Sequence, residues 1–140
     1  MKSQNYSNKK IIFFDGVCNL CNGFIDFTIK RNKNKDIYYC SLQSQKAKEI
    51  LAHKNIVIRD NEYSTIYFLN GNSLYNKSSA ILQVLKNLSK VYMLIGSICL
   101  IFPKFIRDYM YTFIAKNRYI FFGKKESCRL PLPEEINQFL

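Results

Sequence analysis

No hydrophobic run in this chain is long enough to cross a bilayer as a helix. The longest, Val91 to Phe102, has twelve residues, is broken by Gly96 and Ser97, and stops at Pro103. A spanning helix needs about 20. After the polar, lysine-rich stretch from Met1 to Lys10 come only Ile11-Ile12-Phe13-Phe14, short of the roughly 7–15 apolar residues of a secretory signal. A soluble, cytoplasmic protein is the expectation. Acidic residues are scarce, 10 against 21 Lys and Arg, for a net charge of +11. That imbalance suits an acidic partner, a nucleic acid or an anionic membrane surface without choosing among them. Most of the excess is lysine, which also simply decorates solvated faces. RRM, KH and zinc-finger signatures are absent, so no specific nucleic-acid partner is expected. There is no internal repeat and no low-complexity linker. Prolines are few: Pro103, Pro131 and Pro133.

What is present fits one globular domain. A chain of 140 residues buries about two thirds of its unfolded surface without needing disulfides. A hydrophobic fraction of 48% and an aromatic fraction of 15% exclude a disordered or fibrous chain. Five cysteines occur, at 18, 21, 40, 99 and 128. The number is odd and the spacing irregular, as for free thiols in a reducing compartment.

The hydrophobic periodicity predicts strands at Lys10 to Asp15, Ile37 to Leu42, Tyr63 to Leu69 and Ser73 to Asn76, the last two joined at Asn70-Gly71-Asn72. Helices are predicted at Asn19 to Arg31, at Ser44 to His53, and from a Ser78 or Ser79 cap through Leu88. The order β-α-β-α-β-β-α over the first ninety residues gives a mixed α/β sheet with helices on its faces. After residue 90 the pattern is helical: Val91 to Phe102, then Lys104 to Lys116, then an aromatic turn or short helix from Asn117 to Gly123, and a short terminal helix from Glu134 to Leu140. Residues 91–140 are expected to form a helical extension packed on a 1–90 core. Phe105, Ile106, Tyr109, Met110, Phe113 and Ile114 recur at helical core spacing, so most of these side chains are expected inside.

The informative segment is Phe13-Phe14-Asp15-Gly16-Val17-Cys18-Asn19-Leu20-Cys21, a Cys-x-x-Cys pair between a strand and a helix. At a helix start, Cys18 meets free backbone N–H groups and the positive end of the dipole, which favour thiolate over thiol. Cys21 lies one turn on, on the same face, where it can attack a mixed disulfide at Cys18. Cys18 is therefore the expected attacking thiol and Cys21 the resolving one. Asp15 either accepts the proton of Cys21 as general base or caps the turn through the N–H groups of residues 17 and 18; one residue can do both. Zinc is a rival use of the pair, but a structural site wants four ligands. No second Cys-x-x-Cys exists, and Cys40, Cys99, Cys128 and His53 are scattered singly; no metal is assigned. Cys40 and Cys99 read as core residues. The string is also similar to the opening of haloacid-dehalogenase-class phosphatases, a strand followed by Asp-x-Asp-Gly. Phe13 stands where their nucleophilic Asp would be, so no aspartyl-phosphate can form.

Over nearly its whole length the chain resembles the DCC family of thiol-disulfide oxidoreductases, named for Asp-x-x-Cys-x-x-Cys. The likeness is carried by Phe14 to Asn22, by Leu42-Gln43-Ser44, by Ser79-Ala80, by Tyr111 to Tyr119 with Phe122-Gly123, and by Cys128 with Pro131. It implies a thioredoxin-like fold with a helical C-terminal extension, and disulfide reductase activity. The implied partners are a disulfide-containing protein or small thiol as substrate and a thiol electron donor. No nicotinamide or flavin motif is visible, so no cofactor is expected. Thioredoxins place a cis-proline before the third strand, beside the dithiol. The loop from Asp60 to Thr65 has no proline, so Ser64 or Thr65 is expected to take that substrate-binding place. Arg118 either lies near the dithiol and favours the thiolate or is a surface or capping arginine, which base rates of placement favour. Cys128 either exchanges as a third thiol or is a free cysteine near the end of the chain. The alternative to an enzyme is a thioredoxin-like binding module whose basic, aromatic C-terminal half makes peripheral membrane contact or docks on an acidic partner.

Overall fold

A computed structural model of the chain describes residues 6, 8–60, 63–126 and 130–140; Cys128 lies outside the described residues. The elements run β1 (Lys10–Phe14), α1 (Asn19–Arg31), β2 (Ile37–Ser41), α2 (Gln45–Ala52), β3 (Tyr67–Asn70), β4 (Ser73–Asn76), α3 (Lys77–Lys86), α4 (Lys90–Cys99), α5 (Lys104–Phe122) and a 3-10 turn at Ile136–Gln138. The sheet order is β2-β1-β3-β4. β1 and β2 are parallel, with Phe14 opposite Ser41, and the β1–β3 and β3–β4 pairs are antiparallel. This is a thioredoxin-like mixed sheet with a helical C-terminal part.

β1 is central and covered on both faces, which is why it reads as an unbroken apolar run rather than an alternation. Ile12 and Phe14 point into a cluster with Ile25, Tyr39, Phe68 and Val84. Ile11 and Phe13 point the other way, against Cys40, Leu42, Ile50 and Leu51. The chain end returns to the sheet. Phe139 pairs with Tyr39, the Leu140 N–H donates to the Tyr39 carbonyl at 2.9 Å, and the Phe139 ring meets Phe14 edge-on at 6.4 Å.

Three boundaries and one expectation of burial stand out as different from the sequence reading. β3 begins at Tyr67 instead of Tyr63. β1 pairs no further than Phe13 with Tyr67, and the preceding loop turns to α5, where the Ile66 N–H donates to the Tyr111 hydroxyl (2.8 Å) and that hydroxyl donates to the Ser64 carbonyl (3.2 Å). α3 begins at Lys77 directly from β4, without a side-chain cap; the Ser78 hydroxyl donates to Asp108 of α5 instead. α5 does not break near Asn117. The Asn117 amide donates to the Phe113 carbonyl at 2.8 Å, and the helix runs on to Gly123, whose φ of +84° ends it.

The fourth difference concerns burial. Phe105, Ile106, Tyr109, Met110, Phe113 and Ile114 are all exposed. The inward side of α5 carries Asp108, Tyr111, Ala115 and Arg118, of which Asp108, Tyr111 and Arg118 make hydrogen bonds to Ser78, Ile66 and Asp15 respectively. Helical spacing identifies a stripe, but it does not say whether the stripe faces the protein.

Candidate functional site

The site forms where the C-terminal ends of parallel β1 and β2 meet the start of α1 and the end of α5. Asp15 follows β1 and is buried. One carboxylate oxygen accepts from the Gln43 amide at 2.6 Å and from the Val17 N–H at 3.2 Å. The other accepts from Arg118 Nη2 at 2.9 Å and from the Tyr119 hydroxyl. Burial pushes this carboxyl up, but hydrogen bonds from Tyr119, Arg118, Gln43 and Val17 outweigh it and hold it below its ordinary value. Gln43 also accepts from the Gly16 N–H at 3.0 Å and from the Ser41 hydroxyl at 2.6 Å, so it fixes both sides of the turn. The Asn22 amide donates to the Gly16 carbonyl at 3.0 Å from inside α1.

Cys18 is the N-cap of α1, with extended backbone, and its Sγ accepts the Cys21 N–H at 3.4 Å. The Cys18 thiol is lowered to about 6, first by the hydrogen bond from the Cys21 thiol. Burial opposes this, while the Cys21 backbone N–H and the Arg118 charge help and the Asp15 charge opposes. The Cys21 thiol moves the other way, raised by donating to Cys18, by burial, and by the negative charges at Cys18 and Asp15. One thiolate is held by its neighbour's proton, an asymmetric pair suited to sequential attack.

Acidity and access do not coincide. Cys18 is 0% exposed, whereas Cys21 is half-buried. Past α5 the chain crosses back over the start of α1. Lys124 pairs with Cys18 as an isolated antiparallel bridge, the Lys125 N–H donates to the Val17 carbonyl at 2.7 Å, and the Asn19 N–H donates to the Gly123 carbonyl at 3.3 Å. The strap is also tied by the Asn19 side chain to the Phe122 carbonyl at 2.9 Å. The φ at residue 123 is left-handed, which favours glycine, and a Cβ there would also push against the Asn19 amide at 2.9 Å.

Beside Cys21 lies a pocket of about 310 Å³. Its walls are apolar, from Leu20, Phe24, Ile66, Ile81 and Ile114, with Asp15, Ser64, Tyr111 and Arg118 supplying polar groups. Arg118 is buried; its Nη1 donates to the Ala115 carbonyl at 2.7 Å, and its Nε is buried without a hydrogen-bond partner among the described residues.

Of the residues singled out in the sequence, Cys18, Cys21, Asp15, Arg118 and Ser64 come together here. Thr65 is half-buried and is not among the pocket residues. Arg118 is neither a surface nor a capping residue. Asp15 caps the turn at Val17, and the Cys18 N–H bonds to its backbone carbonyl instead, at 3.3 Å. Cys40 is a core residue whose thiol lies 3.4 Å from the Ser44 hydroxyl; Cys99 is half-buried beside a second apolar groove. Among the described residues no group of three or more His, Cys, Asp or Glu is placed to hold a metal ion. Sequence reasoning assigned no role to Gln43, Tyr111 or Tyr119. Gln43 had a usable signal, because it follows the strand parallel to the one that Asp15 follows. The two tyrosines had none short of knowing where α5 docks.

A family model described as DCC1-like thiol-disulfide oxidoreductase matches residues 12–124. The chain is 39% identical to the uncharacterized protein YuxK of Bacillus subtilis (strain 168), covering 100% of this chain and 99% of that one. It is 34% identical to a chloroplastic DCC family protein of Arabidopsis thaliana, over 87% of this chain and 70% of the relative. No solved structure matches it significantly. The family match starts in β1 and ends in the strap, so it takes in Asp15, both thiols, Gln43, Arg118 and Tyr119 alike. On that evidence the chain belongs to the DCC1-like thiol-disulfide oxidoreductase family.

Proposed function

We propose that this chain reduces disulfides by dithiol exchange, with Cys18 attacking and Cys21 resolving. The Cys18 thiolate attacks one sulfur of a substrate R–S–S–R′, forming Cys18–S–S–R and releasing R′S⁻. Cys21 then gives up its proton and attacks Cys18 Sγ, forming the Cys18–Cys21 disulfide and releasing RS⁻. Two electrons leave the dithiol, and a thiol donor restores it. The observation that carries this reading is the placement of the pair, Cys18 at the N-cap of α1 with its Sγ accepting the Cys21 N–H, and Cys21 beside the pocket.

The other groups take supporting roles in this reading. Asp15 anchors Arg118 and Tyr119 over the turn. Its four donors lower its proton affinity, so base work on Cys21 is the costlier of its two roles. Arg118 adds positive charge beside Cys18. Ser64 lines the pocket and serves as a substrate contact in this reading. The apolar wall suits a disulfide that carries an apolar group. Because Cys18 is covered, exchange also requires Gly123 to Lys125 to lift from Val17 and Cys18.

The test is a pair of variants assayed on a small disulfide and on a disulfide protein. Cys18→Ser should abolish turnover, and Cys21→Ser should leave Cys18 able to form mixed disulfides that accumulate. Full reductase activity in Cys18→Ser would refute the assignment.

A further inference from the structure

We propose that the outer face of the α4–α5 hairpin docks on an anionic lipid bilayer. The proposal stands apart from the dithiol chemistry and rests on a surface that chemistry does not use. Among the described residues, sixteen of the twenty exposed large hydrophobic side chains lie between Val91 and Phe122. On α4, Val91, Leu94, Ile95 and Ile98 follow one helical stripe outward. On α5, Phe105, Tyr109, Phe113 and Ile120 do the same, Tyr109 at 76% and Ile120 at 79% exposure. At the turn between the helices, Ile101 is 81% exposed with Phe102 beside it.

α5 is inside-out relative to an ordinary amphipathic helix, and α4 is apolar on both its sides. α5 turns Asp108, Tyr111 and Arg118 toward the protein, where each is hydrogen-bonded, and leaves its apolar side outside. α4 sets buried Gly96 against the Leu82 carbonyl and places the Tyr92 hydroxyl 2.7 Å from Arg31 Nε. An apolar face of this extent on a monomer marks an interaction surface.

Charge chooses the occupant. From Lys77 to Lys125 the sequence has nine Lys and Arg and a single acid, Asp108, which is occupied by Ser78. Lys90, Lys104 and Lys116 are exposed on the hairpin itself. A second copy would bring the same positive face against this one, in a chain of net charge +11. An anionic bilayer offers an apolar interior beneath a negative surface, complementary in both respects. Neither helix is long and apolar enough to cross a membrane, so the hairpin lies in the interface. The groove beneath it, formed with Phe102, Ile106 and Met110, shares Ile81, Tyr111 and Ile114 with the pocket at Cys21. Docking therefore brings the lipid surface to the approach to that pocket.

Vesicle flotation tests this with the full chain, using vesicles of phosphatidylcholine mixed with phosphatidylglycerol and vesicles of phosphatidylcholine alone. The expected result is binding to the mixed vesicles that weakens about tenfold or more between about 0.05 and 0.5 M salt, where screening shortens to a few ångströms. Replacing Ile101, Phe102 and Phe105 together by Ser should abolish flotation. Lys104→Glu with Lys116→Glu should weaken it about tenfold or more. All five side chains are exposed, and an unchanged circular dichroism spectrum and dithiol titration confirm that the variants are folded. No flotation with mixed vesicles at low salt would overturn the proposal. So would equal binding to neutral vesicles that ignores the Lys→Glu changes. A lipid-free dimer that the triple Ser variant dissociates would assign the face to a second copy and overturn it as well. If Cys18→Ser remained active while flotation persisted, only the exchange mechanism would fall.

Discussion

At the scale of the residue, the central quantity is the acidity of Cys18. A free cysteine titrates near about 8.5; here the hydrogen bond from the Cys21 thiol, with the Cys21 N–H and the Arg118 charge behind it, brings Cys18 to about 6 against the cost of burial. Ultraviolet titration of the reduced protein should therefore show one thiolate forming near pH 6. Arg118→Met should raise that value, because a favourable charge is lost. It should also cost about 3–5 kcal/mol, because the Asp15 carboxylate stays buried without its ion-pair partner. Asp15→Asn should lower the Cys18 value, since the charge that opposes the thiolate goes. If both variants left the titration unmoved, Arg118 and Asp15 would be packing groups only. The same shift has a stability signature. The folded value lies below the unfolded one, so the stabilisation is fully present above about pH 8.5 and is lost as pH falls through about 6. The reduced form should gain on the disulfide form across that window, and a constant difference in unfolding midpoint would contradict the thiolate assignment.

At the scale of the element, the start of α1 was legible and the role of α5 was not. Asn19 to Arg31 shows helical spacing, with a cysteine at the cap, and the structure ends the helix at the same residues. β1 and β2 were legible because short apolar runs bounded by turn residues leave few other readings. The sequence overextends β3 because residues 63–66 have strand composition, while the Ile66 N–H and the Ser64 carbonyl bond to Tyr111. The sequence makes α5 too short and turns it the wrong way round, since neither its continuation past Asn117 nor its outward apolar face has a local signal. The strap after α5 was not legible at all, because its partners at Val17 to Asn19 are about a hundred positions away. It carries its own prediction. Lys125→Pro removes the N–H that donates to Val17 and should loosen the cover on Cys18. Alkylation of Cys18 should then accelerate several-fold, with the thiolate titration in place. An unchanged rate would mean that the strap does not control access.

At the scale of the whole molecule, two segments about a hundred residues apart make one site. The N-terminal half supplies the dithiol and Asp15, and α5 supplies Arg118 and Tyr119 across separations of 103 and 104 residues. The dithiol could be read from its motif. Arg118 was visible only as one residue in a stretch resembling a family pattern, because a guanidinium this deeply buried runs against the usual placement of arginine. The end of the chain adds a further long-range tie by laying Phe139 and Leu140 along Tyr39. Such an assembly holds the pair of thiols in a fixed frame, and the frame has to be tested in its redox behaviour. The most direct measurement equilibrates the intact, metal-free protein in graded glutathione buffers and counts free thiols at Cys18 and Cys21 by mass spectrometry. A reversible two-electron transition at roughly −200 to −270 mV, confined to those two residues, is the result expected of an exchanging dithiol. If no disulfide between Cys18 and Cys21 formed anywhere in that range, the pair would not be the redox centre of this protein.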